Sequence, residues 1–84
     1  MARIKLNPNT YTQINTDPDA YLIQNLTHDR VFLVIQADGA AQPTPETLPD
    51  VELAQLYGIG NLDATGICWG KTIKVDASVG LTEG

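Results

Sequence analysis

The residues of this chain that could do chemistry are few, and their spacing does not assemble a catalytic site. The single histidine, His28, lies beside Asp29 and Arg30 in a short polar break that is expected to form a turn, and an exposed turn positions a nucleophile poorly. The single cysteine, Cys68, has no partner for an intrachain disulfide, and one cysteine with one histidine is too few for a zinc site. We therefore predict no catalytic residues, no metal site and a protein that is not an enzyme.

Two further patterns could bind ligands, and neither is complete. The Gly-Ile-Gly of residues 58–60 matches the first glycines of a dinucleotide-binding motif, but Asp63 stands where the third glycine belongs and no helix pattern follows. The acidic residues Glu46, Asp50 and Glu52 do not follow the spacing of a calcium loop. We expect no cofactor.

The charge balance restricts the classes of partner. Ten acidic and five basic residues give a net charge of −5. Nucleic-acid binding needs a basic surface that displaces counterions from phosphate, and anionic membranes likewise attract basic segments. No stretch approaches the ~18 apolar residues of a membrane-spanning helix. The sequence therefore predicts no nucleic-acid partner and no membrane partner.

The elements that would position any site are short strands, and residues 20–37 show this best. Two apolar runs, residues 21–23 and 31–35, flank the polar break, and both are too short for amphipathic helices. They predict an antiparallel hairpin with a tight turn. The second run is apolar at five consecutive positions, so both of its faces are expected to be dry. This indicates a sandwich, or a sheet that buries its second face against a partner.

The rest of the chain repeats this pattern of short strands between turns. Residues 51–57 fit either a strand or a helical turn, and the β-rich surroundings favour a strand, whereas residues 61–66 are expected to be a loop. The other expected strands are residues 3–6, 11–14, 67–71 and 72–77. We predict one domain over residues 1–84, an all-β fold, as a small antiparallel β-sandwich or barrel of six to seven short strands.

Some core positions also follow from alternation along the strands. Ile73 and Val75 share one face of an expected strand and are predicted to oppose the central apolar run. Trp69 and Cys68 are adjacent, so they face opposite sides. Trp69 is favoured as the core residue, with anchoring of a partner as the alternative. The tail, residues 78–84, is expected to be partly extended and loose at its end.

The order of these segments resembles small β-sandwich virion structural proteins of tailed bacteriophages. The clearest parts are AYLIQN at residues 20–25, VFLV at 31–34 and ICWGK at 67–71. The similarity also covers residues 3–6, 11–14, 37–38, 40–49, 58–60 and 82–84, whereas residues 51–57 depart from the usual pattern.

This resemblance implies a function as well as a fold. Such proteins decorate capsids or belong to tail, neck or fibre assemblies. We expect a capsid decoration or cement component that binds the phage major capsid protein or other virion proteins. It would be located in the virion after synthesis in the cytoplasm of the host bacterium. A homo-oligomer is a further option, because a domain of 84 residues buries a smaller share of its surface than a larger domain does when it folds alone. The alternative is a tail, neck or fibre-associated structural module, or a receptor- or carbohydrate-binding module that uses Tyr11, Tyr21, Tyr57 or Trp69.

The predicted partner contacts lie in a terminal segment and in the proline-rich loop. Arg3 and Lys5 belong to the first expected strand. Prolines keep a loop relatively extended, which suits it for contact with a partner. The loop residues predicted to bind a partner are Gln42, Pro43, Thr44, Pro45, Glu46 and Pro49. A sheet edge could also extend by strand addition.

Overall fold

The described part of the chain is built from strands and turns alone. The computed structural model describes residues 2–26, 29–53 and 61–83, without the side chains of residues 61–64 and 83. Within these residues there are eight strands: β1 (Ala2–Leu6), β2 (Thr12–Gln13), β3 (Tyr21–Asn25), β4 (Val31–Gln36), β5 (Val51–Leu53), β6 (Asn61–Ala64), β7 (Ile67–Thr72) and β8 (Ala77–Glu83).

The strands form two four-stranded antiparallel sheets. Sheet A has the order β1-β8-β3-β6, and sheet B has the order β2-β7-β4-β5. Buried side chains from both sheets meet in one cluster. The prediction of a small all-β antiparallel sandwich is therefore confirmed, with one strand more among the described residues than the upper expected count.

The predicted hairpin between the two apolar runs is wrong. β3 pairs with β6 and β8 in sheet A, whereas β4 pairs with β5 and β7 in sheet B. Tyr21 and Ile23 therefore face Val31 and Leu33 across the core rather than along a shared ladder. Two strands that each carry a buried apolar face gain more burial when these faces oppose each other. Thr27 and His28, in the break between them, lie outside the described residues.

The core fills the space between the sheets. Its buried members are Leu6, Ile14, Tyr21, Ile23, Val31, Leu33, Leu53, Cys68, Val79 and Leu81. Gly70 on β7 allows a close approach there, because a Cβ at this position would lie 2.8 Å from Leu6 Cδ1 and 2.9 Å from Ile14 Cδ1. A larger residue at position 70 would displace side chains from both sheets.

The expected strand over residues 72–77 is instead a turn between the sheets. β7 ends at the buried Thr72, and residues 73–76 carry the chain from sheet B to β8 in sheet A. Ile73 and Val75 are 47% and 53% exposed, so the prediction that they oppose the central run is wrong. Alternation alone cannot separate a strand from a crossing turn of similar composition.

The tail, expected to be partly extended and loose at its end, forms a central strand over Ala77–Glu83. β8 lies between β1 and β3, and its Val79 and Leu81 are buried in the core. Residues 61–64, expected to be a loop, form β6 at the edge of sheet A. Within residues 51–57, positions 51–53 are the strand β5, and the remainder lies outside the described residues, as do residues 58–60.

The β7 residue that faces the core, Cys68 rather than Trp69, also differs from the prediction. Cys68 is fully buried in the core, and Trp69 is half-buried on the opposite face of sheet B. The register explains this arrangement, because Gly70 and Cys68 share the inner face with Leu6 and Ile14. The larger side chain therefore lies outside the sandwich core.

Candidate functional site

The outer face of sheet B is covered by the chain itself. Residues 37–50, here called the strap, connect β4 to β5. Gln42 Nε2 donates a hydrogen bond to the backbone oxygen of Tyr11 over 2.9 Å, and the Tyr11 hydroxyl donates to the backbone oxygen of Thr47 over 2.8 Å. The strap returns at Asp50, whose backbone N–H donates to Leu33 O over 2.8 Å. It thus reaches from β4 to the β2 edge and back.

The strap covers part of this outer face, where Phe32, Trp69 and Lys71 stay half-buried. Tyr11, Val34 and Pro43 are buried, although none of them belongs to the core between the sheets. Val34 and Trp69 are cross-strand partners on this face. The strap therefore accounts for the apolar run of β4: its inner residues meet the core, and Val34 lies beneath the strap.

The outer face of sheet A has no such cover within the described residues. On the central strand β8 this face carries only small residues: Gly80 is buried, Ser78 is half-buried and Thr82 is exposed. Arg3 lies opposite Gly80 on one side, and Leu22 lies opposite Thr82 on the other. Leu26 N–H donates to Ser78 O over 3.1 Å at the end of the β3–β8 ladder, and no other backbone hydrogen bond of the described loops reaches these positions. A shallow strip of small residues therefore runs between longer side chains, which is a shape suited to contact with another surface.

The first strand adds an exposed edge to this face. β1 pairs only with β8 among the described strands, and Arg3 and Lys5 are both exposed. Lys5 Nζ lies 3.5 Å from Asp76 Oδ2, and the two side chains are 75% and 55% exposed. Such an exposed pair contributes little to stability, so Lys5 can exchange its partner at small cost. The open outer face of sheet A with this edge is the candidate interaction surface.

The proline-loop residues predicted to bind a partner divide into two groups in the strap. Pro43 is buried and Gln42 is bonded to Tyr11, so both hold the strap on sheet B. Gln42 is itself exposed, as are Thr44, Pro45 and Glu46, and Pro49 is half-buried. The expectation of a partner contact through Pro43 is thus not supported by its position, while the exposed members remain predictions.

The structure does not gather the predicted contact residues into one patch. Arg3 and Lys5 lie on sheet A, and the strap lies on the outer face of sheet B. One residue that the sequence analysis did not single out is Leu48, which is 84% exposed at the end of the strap. Its position between Thr47 and Pro49, in a segment without strand periodicity, was the available signal.

Two ionisable side chains of the described residues, Cys68 and Tyr21, are buried. Burial raises the pKa of the Cys68 thiol to about 12, so the thiol stays protonated near neutral pH. Burial, with the neighbouring Cys68 as a second cause, also raises the pKa of Tyr21. In the described part of the chain no group of three or more His, Cys, Asp or Glu side chains could hold a metal ion.

The aromatic residues considered for glycan stacking are mostly enclosed. Tyr11 and Tyr21 are buried, and Trp69 is half-buried with an indole nitrogen that has no solvent contact. Tyr57 lies outside the described residues. An aromatic stacking platform needs an open ring face, which Tyr11 and Tyr21 do not provide.

Among the described residues, no helix has the length and apolar character needed to cross a membrane. Comparison with family models, with curated proteins and with solved structures found no match.

Proposed function

We propose that this protein is a non-enzymatic structural protein of a tailed-bacteriophage virion, acting as a capsid decoration or cement component. The observation that carries the proposal is the difference between its two outer faces. The strap packs on the outer face of sheet B, whereas no described loop packs on the outer face of sheet A. In such a sandwich one face is covered by a loop of the same chain, and the other face is accessible for docking on a larger assembly.

The distribution of charge supports a fixed orientation on such an assembly. The strap carries the exposed acidic residues Asp38, Glu46 and Asp50, while Arg3 and Lys5 lie on sheet A. The β1 edge of sheet A is therefore basic and the strap is acidic, although the net charge is −5. Complementary charge favours one docking orientation over the reverse. The acidic strap would face solvent and the sheet A face would contact the major capsid protein or another virion protein.

The small size of the chain is consistent with this role. A domain of this length is of marginal stability when alone, and binding to an assembly stabilises the folded state by mass action. Ile73 and Val75 are exposed apolar side chains. They lie in the same turn as Asp76, which pairs with Lys5 on β1, so they add apolar area close to this edge.

The test is the protein content of purified phage particles. We expect the chain in virions of the phage that encodes it, at a copy number comparable with that of the major capsid protein, by quantitative mass spectrometry. A low copy number that fractionates with tails or necks would place it in those assemblies instead. Absence from purified particles would overturn the proposal.

A matched pair of variants identifies the docking face. Thr82→Arg places a bulky charge on the open face of sheet A, and Thr44→Arg places the same residue on the strap; both threonines are exposed. We expect Thr82→Arg to lower the occupancy of recombinant protein on stripped particles and Thr44→Arg to leave it unchanged. The reverse result would make the strap the contact.

A further inference from the structure

The outer edge of β1 is a stretch of backbone whose hydrogen-bonding groups pair with no other strand in the described part of the chain. Residues Ala2–Leu6 pair with β8 on one side, and no described strand pairs with the other side. None of the backbone hydrogen bonds of the described loops uses this edge. Every second residue of such an edge directs its N–H and C=O outwards, so the edge can template one more strand.

The side chains of β1 alternate in chemistry as well as in direction. Arg3 and Lys5 lie on the outer face and are exposed, whereas Ile4 packs partly against the core. Lys5 has the exposed Asp76 as its ion-pair partner, and among the described residues no ion pair involves Arg3. The edge therefore presents basic, apolar and basic positions in succession.

This pattern disfavours pairing between two copies of the chain. If two β1 edges paired antiparallel around a two-fold axis, Arg3 and Lys5 of one copy would lie opposite the same basic residues of the other. Like charges directly opposite each other destabilise a ladder. Charged residues on edge strands protect proteins from self-pairing in this way. A second copy is therefore a poor occupant of this edge, and an acidic strand would fit it better.

We propose that the β1 edge accepts an extended acidic segment of a partner protein as an added strand. The segment would carry an acidic, an apolar and an acidic residue in succession. Its carboxylates would pair with Arg3 and Lys5, and its apolar residue would cover Ile4. The backbone ladder supplies affinity and the alternating side chains supply selectivity. The inference rests on the proposed docking function and names the chemistry of the docked segment.

The test uses a short synthetic peptide of alternating glutamate and valine, with a lysine–valine peptide as comparison. We expect the glutamate peptide to bind, with protection from hydrogen exchange appearing at backbone amides of β1, and the lysine peptide not to bind. Binding should weaken at about 0.5 M salt, because exposed charge pairs are screened there.

Two double variants of equal net charge separate specific pairing from general attraction. Arg3→Gln/Lys5→Gln removes the basic residues of the edge, and Arg30→Gln/Lys71→Gln removes two basic residues associated with sheet B. We expect the first to weaken peptide binding on the order of tenfold, since each exposed pair contributes up to about 1 kcal/mol. The second should leave binding unchanged. The inference would be overturned if both double variants lost the same peptide affinity, or if the peptide protected backbone amides of strands other than β1 from hydrogen exchange.

Particle binding distinguishes this inference from the proposed function. If the protein occupies phage particles but the glutamate peptide does not bind to β1, the edge inference is wrong and the docking function stands. If the peptide binds to β1 and the chain is absent from particles, the edge is a recognition site and the virion proposal is wrong. Thermal unfolding of each variant by circular dichroism checks that the fold is retained.

Discussion

At the scale of single residues, buried polar groups hold the loops on the sandwich. Asn15 is buried, and its Nδ2 donates hydrogen bonds to Asp17 O over 2.8 Å and to Gly66 O over 2.9 Å. Its Oδ1 accepts a hydrogen bond from the backbone N–H of Cys68 over 2.8 Å. A buried amide that satisfies three backbone groups stabilises the junction of two loops with β7. The sequence marks Asn15 only as a turn residue.

Cys68 gives the folded protein a predictable dependence on alkaline pH. Its pKa rises from 9.0 to about 12 because of burial, so the unfolded state loses this proton at a lower pH than the folded state. The stabilisation is complete below about pH 9 and is lost as pH rises towards 12, at up to about 1.4 kcal/mol per pH unit. We expect the free energy of unfolding, measured in urea, to fall over this range.

A variant isolates the thiol from the tyrosines, which ionise at higher pH. Cys68→Ala should be less stable near neutral pH but should show a flatter decline between about pH 9 and 10. In the native protein the thiol should not react with a disulfide reagent at about pH 8, whereas Thr44→Cys in the Cys68→Ala background should react at once. Rapid labelling of native Cys68 would contradict its buried position.

At the scale of elements, the turn between β6 and β7 depends on a glycine. Gly66 has φ +101°, and a Cβ there would lie 2.8 Å from the backbone oxygen of Gln36. Its N–H donates a hydrogen bond to Pro18 O over 2.8 Å. This turn carries the chain from sheet A to sheet B, so its geometry sets how the two sheets meet.

Two glycine substitutions separate the cost of positive φ from the cost of a steric clash between an added Cβ and the backbone. Gly39 in the strap also has positive φ, +87°, but a Cβ there would meet no atom within 4 Å. We expect Gly39→Ala to cost about 1 kcal/mol or less, and Gly66→Ala to cost about 2–4 kcal/mol, because the second adds a clash with the backbone. Chemical denaturation of both variants measures the difference, and equal costs would show that the Gln36 contact relaxes freely.

The strap shows how an element without regular pairing becomes part of the structure. Pro43, Pro45 and Pro49 lack an N–H and cannot continue a ladder. The segment instead packs by burying Pro43 and by the hydrogen bonds to Tyr11 and Leu33. Deleting the strap would therefore expose Tyr11 and Val34, and single substitutions at its exposed positions are the better probe of partner contact.

At the scale of the whole molecule, the last strand completes the sandwich. β8 is flanked by β1 and β3, so the end of the chain closes sheet A between its first and third strands. The contacts that it makes join residues far apart in sequence. Such pairing forms late and cooperatively, because loop closure must occur before it contributes.

Two leucines test this central position with the same substitution. Leu81 on β8 is 5% exposed, whereas Leu48 in the strap is 84% exposed. We expect Leu81→Ala to lower the free energy of unfolding by about 2–5 kcal/mol and Leu48→Ala to leave it nearly unchanged. A small effect at Leu81 in urea denaturation would mean that β8 contributes little to the fold.

The sequence by itself determined the class of fold and several of its strands. The apolar run of residues 31–35 predicted a strand with two dry faces, and alternation predicted the strand at residues 3–6. These predictions hold because strand formation and burial depend on local side-chain pattern. The proline-rich composition of the strap likewise predicted that this segment forms no regular strand.

Tertiary structure decided which strands pair, what covers each face and where the interaction surface lies. The apolar runs of β3 and β4 have the same local pattern in a hairpin as in two opposed sheets, and only the packing of the whole core separates these arrangements. Cys68 rather than Trp69 is inside because Gly70 admits Leu6 and Ile14. Local pattern fixes how a residue alternates along its strand, but the burial of both faces depends on segments distant in sequence.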